Sequence, residues 1–176
     1  APIPGRSLVG VEVPNKSPAV VSLKEMLTSK PMKELDSKVA VPLGIDVSGD
    51  YQVADIKKMP HVLIAGQTGA GKSVLINSWI STMLFRTTPE EVRMILVDPK
   101  RVELQRYNDI PHLLTPVITE PEKVVSALKW AVQEMDRRYE LLSEQGARNL
   151  EIYNQQVEEE KRRPYILIVI DELADI

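Results

Sequence analysis

The chain has 176 residues, 43% hydrophobic and 27% charged, with a formal net charge of −3 and no cysteine. That length fits one domain with enough apolar material for a core, and the composition excludes a disordered or fibrous chain, a disulfide framework, a zinc ribbon and a thiol nucleophile. The balance of 22 basic against 25 acidic side chains argues against a domain that coats phosphate backbones by bulk charge, so any contact with nucleic acid is expected to be local.

The sequence begins Ala1-Pro2-Ile3-Pro4-Gly5-Arg6, with neither a Met nor a signal peptide, so a piece of a longer protein is expected. No run reaches the ~20 apolar residues needed to span a bilayer, and no membrane contact is expected from this segment. Five of the 13 prolines fall within the first 31 residues and predict short extended pieces broken by turns. Ser7–Val13 alternates as a strand does, and Val21–Leu27 reads as a short helix. Val39–Leu43 and Tyr51–Ile56 read as strands joined by a turn at Gly44 and Gly49. Residues 1–59 are therefore expected to be a β-rich lead-in, and residues 60–176 a separate core.

At Met59-Pro60 the pattern changes. His61–Ala65 is a short continuous apolar run, expected as a strand buried on both faces. A Gly-rich turn leads into a helix over Ser73–Arg86, with apolar residues at positions 76, 79/80 and 83/84. Thr88-Pro89-Glu90-Glu91 has the form of a capping box and predicts one helical turn before a second strand, Val92–Val97. Thr119-Glu120-Pro121-Glu122 is another such box and starts the longest helix. Its apolar stripe runs through Val124, Leu128, Met135, Tyr139 and Leu142, with Gly146 as its stop. A further helix is expected from Leu150 to about Glu160, and then a third buried strand, Tyr165–Ile170. Strands alternating with helices predict an α/β fold with a mainly parallel sheet.

Gly66-Gln67-Thr68-Gly69-Ala70-Gly71-Lys72-Ser73 matches G-x-x-x-x-G-K-[ST] in full, with a predicted strand before it and a helix after it. Glycines let the backbone wrap closely and turn consecutive N–H groups toward an anion, and the helix adds its positive N-terminal end. In such a loop Lys72 reaches the β- and γ-phosphates of ATP and the Ser73 hydroxyl ligates Mg²⁺. Asp171 and Glu172 follow a buried aliphatic strand, at the sheet end where α/β folds bind ligands. Asp171 is suited to hold Mg²⁺ through water, and Glu172 to deprotonate the attacking water. Asp98-Pro99-Lys100-Arg101 ends the second strand, where Asp98 or Lys100 is either a phosphate sensor or part of a capped, charged loop. His61 and His112 lack metal-ligand spacing and read as structural. Trp79, Trp130 and Phe85 lie on apolar helix faces and read as core or interface rather than as base-stacking platforms.

Taken in order, Leu63–Ser73, Asp98–Leu104, Ile110–Leu114, Glu134–Tyr139, Arg148–Leu150 and Asp171–Asp175 resemble the FtsK/SpoIIIE family of DNA translocases over essentially the whole chain. The resemblance implies a RecA-like P-loop NTPase that binds ATP and Mg²⁺, assembles as a homo-hexamer and pumps double-stranded DNA during chromosome segregation at cell division. It implies ATP binding by residues 66–73, catalytic roles for Lys72 and Glu172, and metal ligation by Ser73 and Asp171. It also implies a cytoplasmic motor whose full-length form is anchored to the cell membrane. In RecA-like sheets a strand from beyond the Asp-Glu strand lies next to the phosphate-loop strand. This chain ends five residues past Asp171, so a central strand is expected to be missing. The other readings are a ring ATPase of conjugation or secretion that moves single-stranded DNA or protein, and a nucleotide-binding scaffold that does not hydrolyse. Glu172 speaks against the scaffold.

Overall fold

The computed structural model describes residues 7, 9, 11, 13, 19–67 and 69–176, so the strand expected over Ser7–Val13 lies largely outside the described residues, as does Thr68. The first helix, α1 (Leu23–Thr28), starts at Ser22, whose hydroxyl accepts the Glu25 N–H at 3.2 Å. Helix α2 (Lys30–Glu34) follows at once, with Pro31 in its first turn where the missing N–H costs nothing. That second helix stands where proline-broken extended chain is expected. Strands β1 (Ala40–Ile45) and β2 (Tyr51–Asp55) form the expected antiparallel hairpin. Its register shifts between Pro42 and Gly44, which leaves Leu43 without a partner on β2.

Helix α3 (Lys72–Arg86) carries the expected stripe, and Ile76, Trp79, Ile80 and Met83 are buried along it. They share one core with Val39, which precedes β1, with Val41 of β1, and with Val92, Met94 and Leu96 of β3 (Val92–Val97). Burial of each such side chain contributes roughly 1.5–3 kcal/mol. The Trp79 indole N–H also donates to the Pro42 carbonyl at 2.8 Å, and an Arg86 N–H donates to the Met32 carbonyl at 3.1 Å. The lead-in is therefore packed on the phosphate-loop helix through shared core and hydrogen bonds.

Strand β3 pairs in parallel with β4 (Tyr165–Ile170), in register from Val92 opposite Tyr165 to Val97 opposite Ile170. That register brings the residues after both strands, Asp98 and Asp171, to the same end. The other face of this pair holds Ile95, Val97, Ile118 and Val124, packed with Ile168 and Ile170. Val124 belongs to α4 (Pro121–Glu144), and α5 (Leu150–Gln156) precedes β4.

Several expectations need correction. His61–Ala65 is not a strand. It is largely exposed and joins no ladder among the described residues, and a strand requires a neighbour to take its backbone groups. It is not paired with β4, whose residues are all only partly buried. The Thr88–Glu91 box closes on one side only, with the Thr88 N–H donating to Glu91 Oε2 at 3.0 Å, and the expected single turn forms, with the Val92 N–H donating to the Thr88 carbonyl at 3.0 Å, before the chain enters β3. Thr119 does not cap α4: Glu120 occupies the cap without a side-chain bond. The α4 stripe is buried only at Val124, while Leu128, Trp130, Met135 and Tyr139 are substantially exposed. Helix α5 ends at Gln156, and residues 159–161 form a separate short 3-10 turn. Of the core and interface readings of Phe85, its exposure overturns the core one.

Candidate functional site

The conformation of the described loop residues, 66, 67 and 69–73, follows from their glycines. Gly69 and Gly71 have φ of +81° and +96°, in the left-handed region that side-chain-bearing residues avoid. Gly66 serves a different need. A Cβ there would stand 3.1 Å from the Ala70 Cβ, so a side chain at that position would press on the loop where it closes back on its own start. The Ala70 N–H donates to the Gln67 carbonyl at 3.0 Å and tightens the turn. Gly71 then caps α3 with no side-chain acceptor, so the first-turn N–H groups of the helix have no capping partner. Together with the helix dipole they make an anion-binding end.

A half-buried hydrogen-bond chain holds this end in place. Asn77 Nδ2 donates to the Ser73 carbonyl at 2.7 Å, and the Tyr107 hydroxyl donates to Asn77 Oδ1 at 2.6 Å. The loop after β3 is thereby tied to the first turn of α3. Sequence reasoning missed this link. Its only signal is that Asn77 stands four residues after Ser73, one turn along the same helix face.

At the carboxyl ends of β3 and β4 the acidic residues divide between two roles. Asp98 is fully buried, and its carboxylate accepts the N–H groups of Val102, Glu103 and Leu104 at 3.3, 3.2 and 2.9 Å. Of the two readings open for it, the capped loop is the one built here. Lys100 reaches the other way, 3.3 Å from Glu172 Oε2 and 3.1 Å from Asp175 Oδ2. The Asp175 carboxylate, and then that of Glu172, hold its ammonium charged beyond the ordinary amine range. Asp171 receives only partial relief. Burial pushes its carboxyl above the usual range, the negative charges of Asp98, Glu103 and Glu172 add to this, and Lys100 opposes it.

The fold thus brings Asp98, Lys100, Asp171 and Glu172 to one edge and residues 66–73 to the start of α3. No hydrogen bond or ion pair among the described residues joins Lys72 or Ser73 to Asp171 or Glu172 directly. Among the described residues no three His, Cys, Asp or Glu side chains are grouped to hold a metal ion by themselves. His112 is structural as expected, buried with its Nε2 2.9 Å from the Thr87 carbonyl, whereas the His61 side chain is exposed. Trp79 is core, and Trp130 lies 41% exposed on α4.

Residues 22–176 match the FtsK/SpoIIIE family. The chain is 53% identical over its full length to the DNA translocase FtsK of Caldanaerobacter subterraneus and 50% identical to the DNA translocase SpoIIIE of Bacillus subtilis. It spans about a quarter of the length of these curated relatives, 25% and 23% respectively. Among solved structures it resembles the conjugation coupling protein TcpA in its form with ATPγS. There the TM-score is 0.67 at 31% identity, covering 80% of this chain and 38% of that one. It also resembles the cytoplasmic domain of the type VII secretion ATPase EccC of Thermomonospora curvata, with a TM-score of 0.62 at 27% identity over 76% of this chain and 17% of that one. The fold is that of P-loop ATPase motor domains, as the alternation of strands and helices implies.

Proposed function

This chain belongs to the FtsK/SpoIIIE family, and on that premise we propose that it is the nucleotide-binding part of an ATP-hydrolysing motor that translocates double-stranded DNA in chromosome partition. The observation that carries the reading is the phosphate loop itself: Gly69 and Gly71 at positive φ, delivering an uncapped helix N-terminus beside Lys72. Residues 66–73 bind the phosphates of ATP, with Lys72 supplying the charge that draws and orients them. Glu172 is the general base that orients and deprotonates the attacking water, and Lys100 fixes its position. Residues 60–176 form the ATPase core, and residues 1–59 the lead-in that packs against it.

Ser73 and Asp171 are the residues that would hold Mg²⁺. A hydroxyl and a carboxylate are the hard oxygen donors this ion takes, with phosphate and water completing its shell. The negative charge gathered around Asp171 by Asp98, Glu103 and Glu172 is an excess that a divalent cation offsets. When bound, the ion supplies charge neutralisation at the phosphates. The assembly proposed is a homo-hexameric ring that grips DNA at a few local positions, in keeping with a net charge of −3. The compartment proposed is the cytoplasm, with the full-length protein tethered to the membrane. No helix among the described residues is long and apolar enough to cross one.

The named translocases stand at 50–53% identity and the conjugation and secretion proteins at 27–31%, which favours a DNA translocase over a conjugation or secretion ATPase, and the cargo we infer is double-stranded DNA. ATP turnover by the full-length protein, measured with each nucleic acid, tests this. Stimulation by double-stranded DNA well above that by single-stranded DNA is expected, and the reverse order would favour a coupling protein.

A further inference from the structure

Two side chains that the proposed chemistry does not use lie between its two ends. Asn77, in the second turn of α3, is bonded at both atoms of its amide. Its Nδ2 donates to the Ser73 carbonyl at 2.7 Å, and its Oδ1 accepts the Tyr107 hydroxyl at 2.6 Å. Tyr107 lies near the end of the loop that begins at Asp98, and Lys100 on that loop makes the ion pair with Glu172. We propose that Asn77 and Tyr107 are positioning residues for hydrolysis: through the loop after β3 they fix the place of Glu172 relative to Ser73 and the phosphate loop. The inference rests on the reading of Glu172 as the base of an ATPase, and it adds the residues that keep this base in register with the phosphates.

Three observations support that role. First, packing alone does not call for this pair. Asn is a poor residue for a helix interior, because its amide competes with the backbone, and here it bonds back to the carbonyl four residues before it. A buried tyrosine hydroxyl likewise needs a partner. Leucine and phenylalanine of the same shape would fill the same space at little cost to stability. Second, the loop between Lys100 and Tyr107 is stiff enough to transmit a position. Asp98 accepts three of its N–H groups, Leu104 is fully buried, and the Tyr107 N–H donates to the Leu104 carbonyl at 3.0 Å. Arg101 is held at a φ of +60°, a strained value that persists only where the surroundings dictate the conformation. Third, the two ends need such a brace. Among the described residues no hydrogen bond or ion pair joins Ser73 to Glu172 directly, and the polar route through Asn77, Tyr107 and Lys100 connects them.

ATP turnover and ATP affinity of the full-length protein test the inference in two variants. Tyr107→Phe loses the hydroxyl and keeps the ring, and Tyr107→Phe combined with Asn77→Leu replaces the hydrogen bond by apolar contact. The expected result in both is a kcat lower by about ten- to a hundredfold, the scale of loss when a reacting group is misplaced by about 1 Å. ATP affinity stays within about threefold, because Lys72 and the loop N–H groups still hold the phosphates. Added to Glu172→Gln, Tyr107→Phe lowers single-turnover hydrolysis by no more than about twofold further, since a base already lost has no position to lose. A kcat of the double variant within about twofold of the parent would overturn the inference. So would a Tyr107→Phe loss that multiplies unchanged onto Glu172→Gln, or affinity lost together with turnover in both variants, which would make the pair a support of the fold. Each of these leaves the ATPase reading standing. A parent protein that binds ATP and does not hydrolyse it would overturn both.

Discussion

Lys100 Nζ lies 3.3 Å from Glu172 Oε2, an ion pair that joins the loop after β3 to the acidic pair after β4. It is shared with Asp175 at 3.1 Å, and all three side chains are between about a third and about a half exposed. Exposed pairs of this kind add little to stability, because water already solvates both charges. Their value is positional: they keep a carboxylate oxygen of Glu172 at a fixed place on the sheet end.

Lys100→Met therefore leaves the thermal unfolding midpoint within about 3 °C of the unaltered chain, as expected when a solvated pair is lost from a domain of this size. Calorimetric melting of both proteins checks it. A fall of 10 °C or more would mean that the pair holds up the fold.

Asp98 behaves in the opposite way. Its carboxylate accepts three backbone N–H groups in a fully buried position, so Asp98→Ala strands those donors and costs about 2–4 kcal/mol. Urea unfolding measures this directly. An Asp98→Ala protein of unchanged stability but impaired ATP turnover would return Asp98 to the role of phosphate sensor.

Glu134 gives the fold a dependence on pH. Hydrogen bonds from Arg137 at 2.7 and 2.8 Å, with one from Arg138 at 2.6 Å, hold its carboxyl below the usual range against the opposing effect of burial. A depressed folded value contributes stability that is present above the unfolded value, near 4.3, and is lost as pH falls through the folded one. Glu134→Gln is expected to be about 1 kcal/mol less stable at pH 7 and equal to the parent in strong acid. Urea midpoints of the two proteins at both pH values check the sign. A gap that widens in acid would contradict it.

What the sequence made legible was what local pattern decides. The 3.6-residue stripe of α3, the aliphatic runs of β3 and β4, and the glycine spacing of the phosphate loop all stand where periodicity and turn chemistry put them. What escaped depends on partners distant in the chain. His61–Ala65 has the composition of a strand, but a ladder needs a neighbour and none of the described residues supplies one. A cap and a catalytic acid look alike as the letter D, and only the three N–H groups converging on Asp98 separate them. The bond from Trp79 to Pro42 crosses 37 residues, and no motif announces it. It makes the lead-in part of the same packed body as α3.

The central claim is that the loop at residues 66–73 and the acid after β4 work together to hydrolyse ATP. Single-turnover hydrolysis by the full-length protein carrying Glu172→Gln, with ATP binding measured alongside, tests it most directly. Loss of a positioned general base predicts ATP affinity within about threefold of the parent and a hydrolysis rate lower by about 10²–10⁴. Hydrolysis at the parent rate, with binding intact, would contradict it.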